Sequence, residues 1–197
     1  MSSSDIDTGR RRFLTGAVTV MGGIGGAFAA VPFIASWTPS DRAKAIGAPV
    51  EVDISKLEPG QSTRVKWQGK PVVIVRRTEA ALAGITKLND KVRDPQSVEE
   101  QQPEYATNEY RSIKPEFLVL VGICTHLGCA PTYRPEVAAA DLGPEWRGGF
   151  FCPCHGSRFD LAGRVYESVP APTNLLVPPH KYLNDGRILI GVDTENA

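Results

Sequence analysis

All four cysteines of this 197-residue chain fall between positions 124 and 154, and two of its three histidines fall there with them. They form two short boxes, Cys124-Thr125-His126-Leu127-Gly128-Cys129 and Cys152-Pro153-Cys154-His155-Gly156-Ser157. A fold that carries this pattern must bring two loops together around whatever the sulfurs and imidazoles bind. Three chemistries are open. A structural zinc site takes four Cys or His ligands in a tetrahedron, and six candidates exceed that number. A thiol redox centre is the second, although Cys152-Pro153-Cys154 lacks the two-residue spacer of thioredoxin-like motifs. A two-iron, two-sulfide cluster with cysteines on one iron and histidines on the other is the third.

The rest of the chain sets the context. Residues 1–12 are polar and end in Arg10, Arg11 and Arg12; no charge follows until Asp41. The uncharged run 13–37 exceeds the roughly 20 residues a helix needs to cross a bilayer. Its glycines are tolerated in membrane helices, and Trp37 suits the headgroup layer. The arginines place the N-terminus on the cytoplasmic side and the remainder across the membrane. Ala27-Phe28-Ala29 offers a signal-cleavage site as the alternative to a retained anchor. Residues 38–49, with Pro39, Gly47 and Pro49, read as a flexible hinge linker that spans roughly 35 Å when extended.

From residue 50 onward the pattern is that of an all-β domain. Alternating or continuous apolar runs at 50–54, 63–67, 71–75, 117–121 and 187–192 read as strands of an antiparallel β-sandwich. Residues 78–88 read as a short helix capped by Thr78, and about 122–173 as a loop-rich subdomain carrying both boxes. Residues 92–116, polar and broken by prolines, suggest no function. His180 reads as a surface or packing histidine, and Trp67 and Trp146 as core or lid residues. Twenty-two basic residues balance 22 acidic ones, which excludes nucleic acid as the main partner.

The two boxes resemble the cluster-binding loops of Rieske iron–sulfur proteins. The whole order of segments is similar to that of the Rieske subunits of quinol-oxidising cytochrome bc complexes, with Val169-Pro170-Ala171-Pro172 like that family's proline loop. Arg10-Arg11-Arg12-Phe13-Leu14-Thr15 resembles a bacterial twin-arginine signal, with Gly9 and Thr15 departing from the usual residues. The resemblance implies one [2Fe–2S] cluster per subunit, held by Cys124, His126, Cys152 and His155, and a disulfide between Cys129 and Cys154. Neutral imidazoles in place of two thiolates leave the cluster less negative, which raises its potential into a range of roughly −150 to +300 mV.

Further roles follow from the same resemblance. His155, with His126 beside it, takes a proton from ubiquinol together with the electron. Leu127, Pro170 and Pro172 line the quinol contact. Gly128 and Gly156 let backbone amides reach sulfur, and Ser157 donates to a bridging sulfide. Phe159 stands where many relatives carry a Tyr that donates to a ligand sulfur, which implies a lower potential here. The implied activity is that of a redox subunit of a proton-translocating quinol–cytochrome c reductase, inactive alone. It would work beside a cytochrome b subunit and a c-type cytochrome in a dimeric complex of the bacterial inner membrane, with the cluster domain periplasmic. The Rieske subunit of another exported oxidoreductase, such as arsenite oxidase, is the alternative.

Overall fold

The computed structural model describes residues 7–193. It divides into two units, one ending at Ala45 and the other beginning at Ile46.

Helix α1 spans Thr8–Ala35. It begins upstream of the uncharged run because Asp7 caps it: the carboxylate accepts from the amides of Gly9 and Arg10 at 3.0 and 3.1 Å, satisfying donors that a helix start leaves open. Its 28 residues give a length of about 42 Å at ~1.5 Å per residue. The helix is long and apolar enough to cross a membrane, and none of it is buried within the protein. Glycine weakens helices in water, but in lipid the helix satisfies every backbone group internally. The segment read as a hinge contains a second helix, α2 (Asp41–Gly47). Ser40 Oγ accepts from the Ala43 amide at 3.2 Å, so a cap and a run of Ala, Lys and Arg prevail over the flanking prolines.

Among the described residues, the second unit holds nine strands in three antiparallel sheets. Strands β1 (Val50–Asp53), β9 (Arg187–Ile190) and β8 (His180–Asn184) form the first, in the order β1-β9-β8. Strands β2 (Ser62–Trp67), β3 (Lys70–Arg76) and β4 (Phe117–Val121) form the second. Between β3 and β4 lies α3 (Glu79–Ile85), whose cap Thr78 accepts from the Ala81 amide. The third sheet is β5 (Thr132–Arg134), β6 (Gly149–Phe151) and β7 (Arg158–Phe159).

The continuous apolar runs of β3 and β4 have a structural cause. Side chains alternate between the two faces of a strand, and here both faces are buried. Val73, Val75, Leu118 and Leu120 pack with Cys124, Phe150, Cys152 and Phe159. Val72, Ile74, Phe117, Val119 and Val121 pack with Trp67 of the same sheet and with Val52, Ile188 and Ile190 of the first sheet. The second sheet is therefore the middle layer, and its far face is the floor on which the two cysteine–histidine boxes rest. Trp67 and Trp146 are buried.

Residues 92–116 are not a free loop. The Arg93 amide donates to Val165 O, and the Val177 amide donates to Gln101 O, both at 2.9 Å. Buried Arg111 adds bonds to Ala162 and Gly163 carbonyls. Part of its polar composition serves to bond side chains to distant backbone carbonyls, as Arg111 does, while residues such as Glu99 and Glu100 remain exposed.

Candidate metal centre

The two boxes fold into the same turn. In the first, the Cys124 amide donates to Cys129 O at 2.7 Å and the Gly128 amide donates back to Cys124 O at 3.0 Å. In the second, the Cys152 amide donates to Ser157 O at 2.8 Å and the Gly156 amide to Cys152 O at 3.0 Å. Each box thus closes over the first cysteine with a glycine four positions later. Gly128 and Gly156 adopt φ of 83° and 77°, which side chains other than glycine disfavour. A Cβ at either position would meet nothing within 4 Å, so the turn needs these glycines for their conformation rather than for close packing.

Depth separates the donors. Cys124 and Cys152 are buried free thiols at the end of β4 and β6. His126 is half-buried and His155 exposed. Their rings meet edge to face with centroids 4.8 Å apart. Cys129 and Cys154, at the rim, are joined by a disulfide that links one box to the other.

The sulfurs of Cys129, Cys152 and Cys154 lie within 4.8 Å of one another, but the first and last are spent in the disulfide and have no thiolate to offer. Burial pushes the Cys152 thiol up, and its hydrogen bond with Cys124 acts in the same direction; amides of Cys154 and His155 pull it down by donating to sulfur. Two buried thiols side by side are costly as thiolates unless a cation binds them.

A buried polar atom that the protein itself leaves unsatisfied marks a donor set short of its partner. His126 Nδ1 is such an atom: it is buried and has no hydrogen-bond partner, where buried polar groups are otherwise almost always paired. Its ring lies against that of His155, and with the buried thiols of Cys124 and Cys152 the two boxes supply the nitrogen–sulfur donor set of a Rieske cluster.

A third loop completes the site. Residues 169–173 are fastened to the first box by Thr125 Oγ1, which donates to Thr173 O at 2.7 Å. They are fastened to the second by Ser157 Oγ, which accepts from the Ala171 amide at 3.1 Å. Pro170 and Pro172 are exposed, as is Leu127 at 71% of its surface. Beside His155 a groove of about 430 Å³ runs between Arg158, Glu167 and Pro170. Phe159 is fully buried, paired with Phe150 across β6–β7. His180 is remote from the boxes: it is buried, with Nδ1 2.8 Å from Pro178 O and its ring against Tyr105.

Thr125, Asn174 and Arg93 also hold the site together, and the sequence alone does not point to them. Asn174 Oδ1 accepts from the Val165 amide at 2.8 Å, its amide nitrogen donates to Asp94 O at 3.3 Å, and Arg93 donates to Pro172 O at 2.9 Å. Their partners lie up to 80 residues away, so no local pattern marks them.

Paired cysteine–histidine turns, clasped by a disulfide at the edge of small antiparallel sheets, define an iron–sulfur domain of the Rieske type, and residues 49–180 match the Rieske [2Fe-2S] domain family. Residues 1–40 match the family described as "Ubiquitinol-cytochrome C reductase Fe-S subunit TAT signal". The chain is 59% identical over its full length to the ubiquinol-cytochrome c reductase iron-sulfur subunit of Allochromatium vinosum, covering 95% of that protein. It is 41% identical to the subunit of the same name from Bradyrhizobium diazoefficiens, over 96% of this chain and 98% of that one. A solved chain of a hyperthermophilic respiratory Complex III is 28% identical, with a TM-score of 0.47 over 90% of this chain and 98% of that chain. The chain belongs to the family of ubiquinol–cytochrome c reductase iron–sulfur subunits.

Proposed function

We propose that this chain is the electron-transfer subunit that accepts electrons from ubiquinol and delivers them to a c-type cytochrome in a proton-translocating complex. The carrying observation is the pair of matching turns that holds two buried thiols and two imidazoles in edge-to-face contact, with His126 Nδ1 buried and unpartnered. Cys124 and Cys152 would hold the inner iron, and His126 and His155 the outer one. When bound, the cluster supplies one-electron chemistry at a potential raised by the neutral imidazoles.

The protein's own groups do the rest. His155 is the exposed ring of the two, and its Nε2, left over when Nδ1 serves as ligand, holds and releases the proton that accompanies the electron. Exposed Leu127, Pro170 and Pro172 offer an apolar rim for a quinol ring. Amides of Cys154 and His155 donate to Cys152 sulfur, and the Ser157 hydroxyl is positioned by Ala171; such donors favour the more negative, reduced state. The disulfide joins the two boxes covalently.

Helix α1 is the single membrane anchor, with its arginine-rich start on the cytoplasmic side and the cluster domain in the periplasm. Residues 38–49, with α2 inside them, are the tether that lets the domain travel between a cytochrome b subunit and a c-type cytochrome in a dimeric complex. The test is low-temperature EPR of reduced membranes containing the chain. A rhombic Rieske-type signal whose shape changes on adding a quinol-site inhibitor is the expected result. A signal indifferent to the inhibitor contradicts the quinol assignment, and zinc without iron contradicts the cofactor.

A further inference from the structure

Immediately after β7 the chain makes a turn, 160–164, that three guanidinium groups grip. Arg77 Nη1 donates to Leu161 O at 2.9 Å. Arg111 Nη1 donates to Ala162 O and Gly163 O at 3.2 and 3.3 Å. Arg164 pairs with Asp160 at 2.8 Å within the turn itself. All four charged side chains are buried, and besides His180 they are the only buried titratable side chains that carry or acquire full charge among the described residues, the free thiols aside. Three cations thus face one carboxylate. Half-buried Asp94 acts on Arg111 from the side. Burial lowers both Arg77 and Arg111 to about 10, so each remains protonated at neutral pH.

Their hydrogen bonds are mostly to backbone carbonyls: Pro115, Tyr110 and Leu161 for Arg77, and Gln101, Ala162 and Gly163 for Arg111. Carbonyls satisfy most of these donors without cancelling the charge, and the buried Arg111 Nε has no partner at all. Burying an unmatched cation is expensive, and neutral amide side chains could bridge the same carbonyls. The turn they grip adjoins the apolar cluster that holds the ligand cysteines. Phe159, the residue before Asp160, packs in the same apolar cluster as Cys124 and Cys152. Leu120 of that cluster fills the space that a side chain at Gly163 would need.

We propose that the buried positive excess of Arg77 and Arg111 raises the reduction potential of the cluster, because in this dry core a fixed cation stabilises an added electron with little solvent screening. The inference rests on the cluster assignment above. It gives the two arginines a tuning role in addition to their stitching of residues 92–116.

The experiment is a redox titration of the assembled complex in membranes, followed by EPR, for Arg111→Met, Arg111→Lys and Asp160→Asn. Arg111→Met is expected to cut the reduced-to-oxidised ratio at fixed ambient potential about three- to tenfold, tenfold being ~59 mV for one electron. Arg111→Lys keeps the charge and is expected to restore the native midpoint, and Asp160→Asn to raise it. A purely structural role moves Met and Lys variants together; that outcome, or no shift in Arg111→Met, or a fall in Asp160→Asn, overturns the proposal. Should Arg111→Met fail to assemble, Arg77→Met is read by the same criteria. Loss of any Rieske-type signal in the native complex overturns the cluster assignment instead, so the two failures are distinguishable.

Discussion

The backbone amide of Ala171 donates to the side-chain oxygen of Ser157 across 3.1 Å, both residues being fully buried. This bond joins the proline loop to the second cysteine–histidine turn. It uses the oxygen of Ser157 and leaves the hydroxyl proton available to donate.

Ser157→Ala removes both the pin and the donor. A hydrogen bond to a charged group is worth roughly 1.5–3 kcal/mol, and about 1.4 kcal/mol corresponds to ~60 mV for a one-electron couple. The midpoint potential should fall by about 60 mV or more in voltammetry, and amide exchange should quicken across residues 169–173. An unchanged potential with quickened exchange would confine Ser157 to holding the loop.

Phe159→Tyr adds a hydroxyl on β7 beneath the second box. The side chain is fully buried in the apolar cluster that also holds Cys124, Cys152 and Val165, so the hydroxyl enters a dry core shared with two ligand cysteines. Voltammetry should show a rise of a few tens of millivolts, on the order of one hydrogen bond. A fall or no change rejects the idea that Phe159 lowers the potential.

Replacing both Cys129 and Cys154 with Ser cuts the covalent link between loops 25 residues apart in sequence. Cross-links of this size contribute about 3 kcal/mol. The expected outcome is a protein that assembles a cluster but loses it at lower denaturant concentration, followed by bleaching of the visible absorbance. Retention equal to the native protein would show that the turn hydrogen bonds alone hold the boxes together.

His180 gives a pH dependence of known sign. Burial lowers its pKa below the ordinary 6.5, partly offset by the bond to Pro178 O. A carbonyl only accepts, so Nδ1 carries the proton and buried Nε2 is left with a lone pair and no partner. The unfolded chain therefore binds a proton before the folded one does. Stability from this residue is complete above pH 6.5 and is lost as pH falls below it toward the depressed folded value. Chemical denaturation at about pH 7.5 and about pH 5.5 should show a smaller loss in His180→Gln than in the native chain; equal losses would contradict the assignment.

Some of this was legible in the sequence and some was not, for physical reasons. Strands such as 117–121 announce themselves because both faces are buried and every residue is apolar. The short strands β5 and β7 carry three and two residues, too few for any periodicity, and β8 begins at His180 with a polar mixture, HKYLN. The boxes are visible because ligand chemistry restricts residue types at fixed spacing. The polar stretch 92–116 was opaque because its function is to supply partners for carbonyls far away in sequence, as Arg111 does for Gly163. The helix within 38–49 was masked by Pro39 and Pro49 at its margins, although Ser40 stood in capping position.

The most direct test of mixed nitrogen–sulfur coordination is Mössbauer spectroscopy of the reduced protein enriched in the Mössbauer-active iron isotope. Two inequivalent irons are predicted, with the added electron localised on the one bound by His126 and His155. Two identical iron environments, or an iron pair that persists unchanged when both histidines are replaced, would contradict the account.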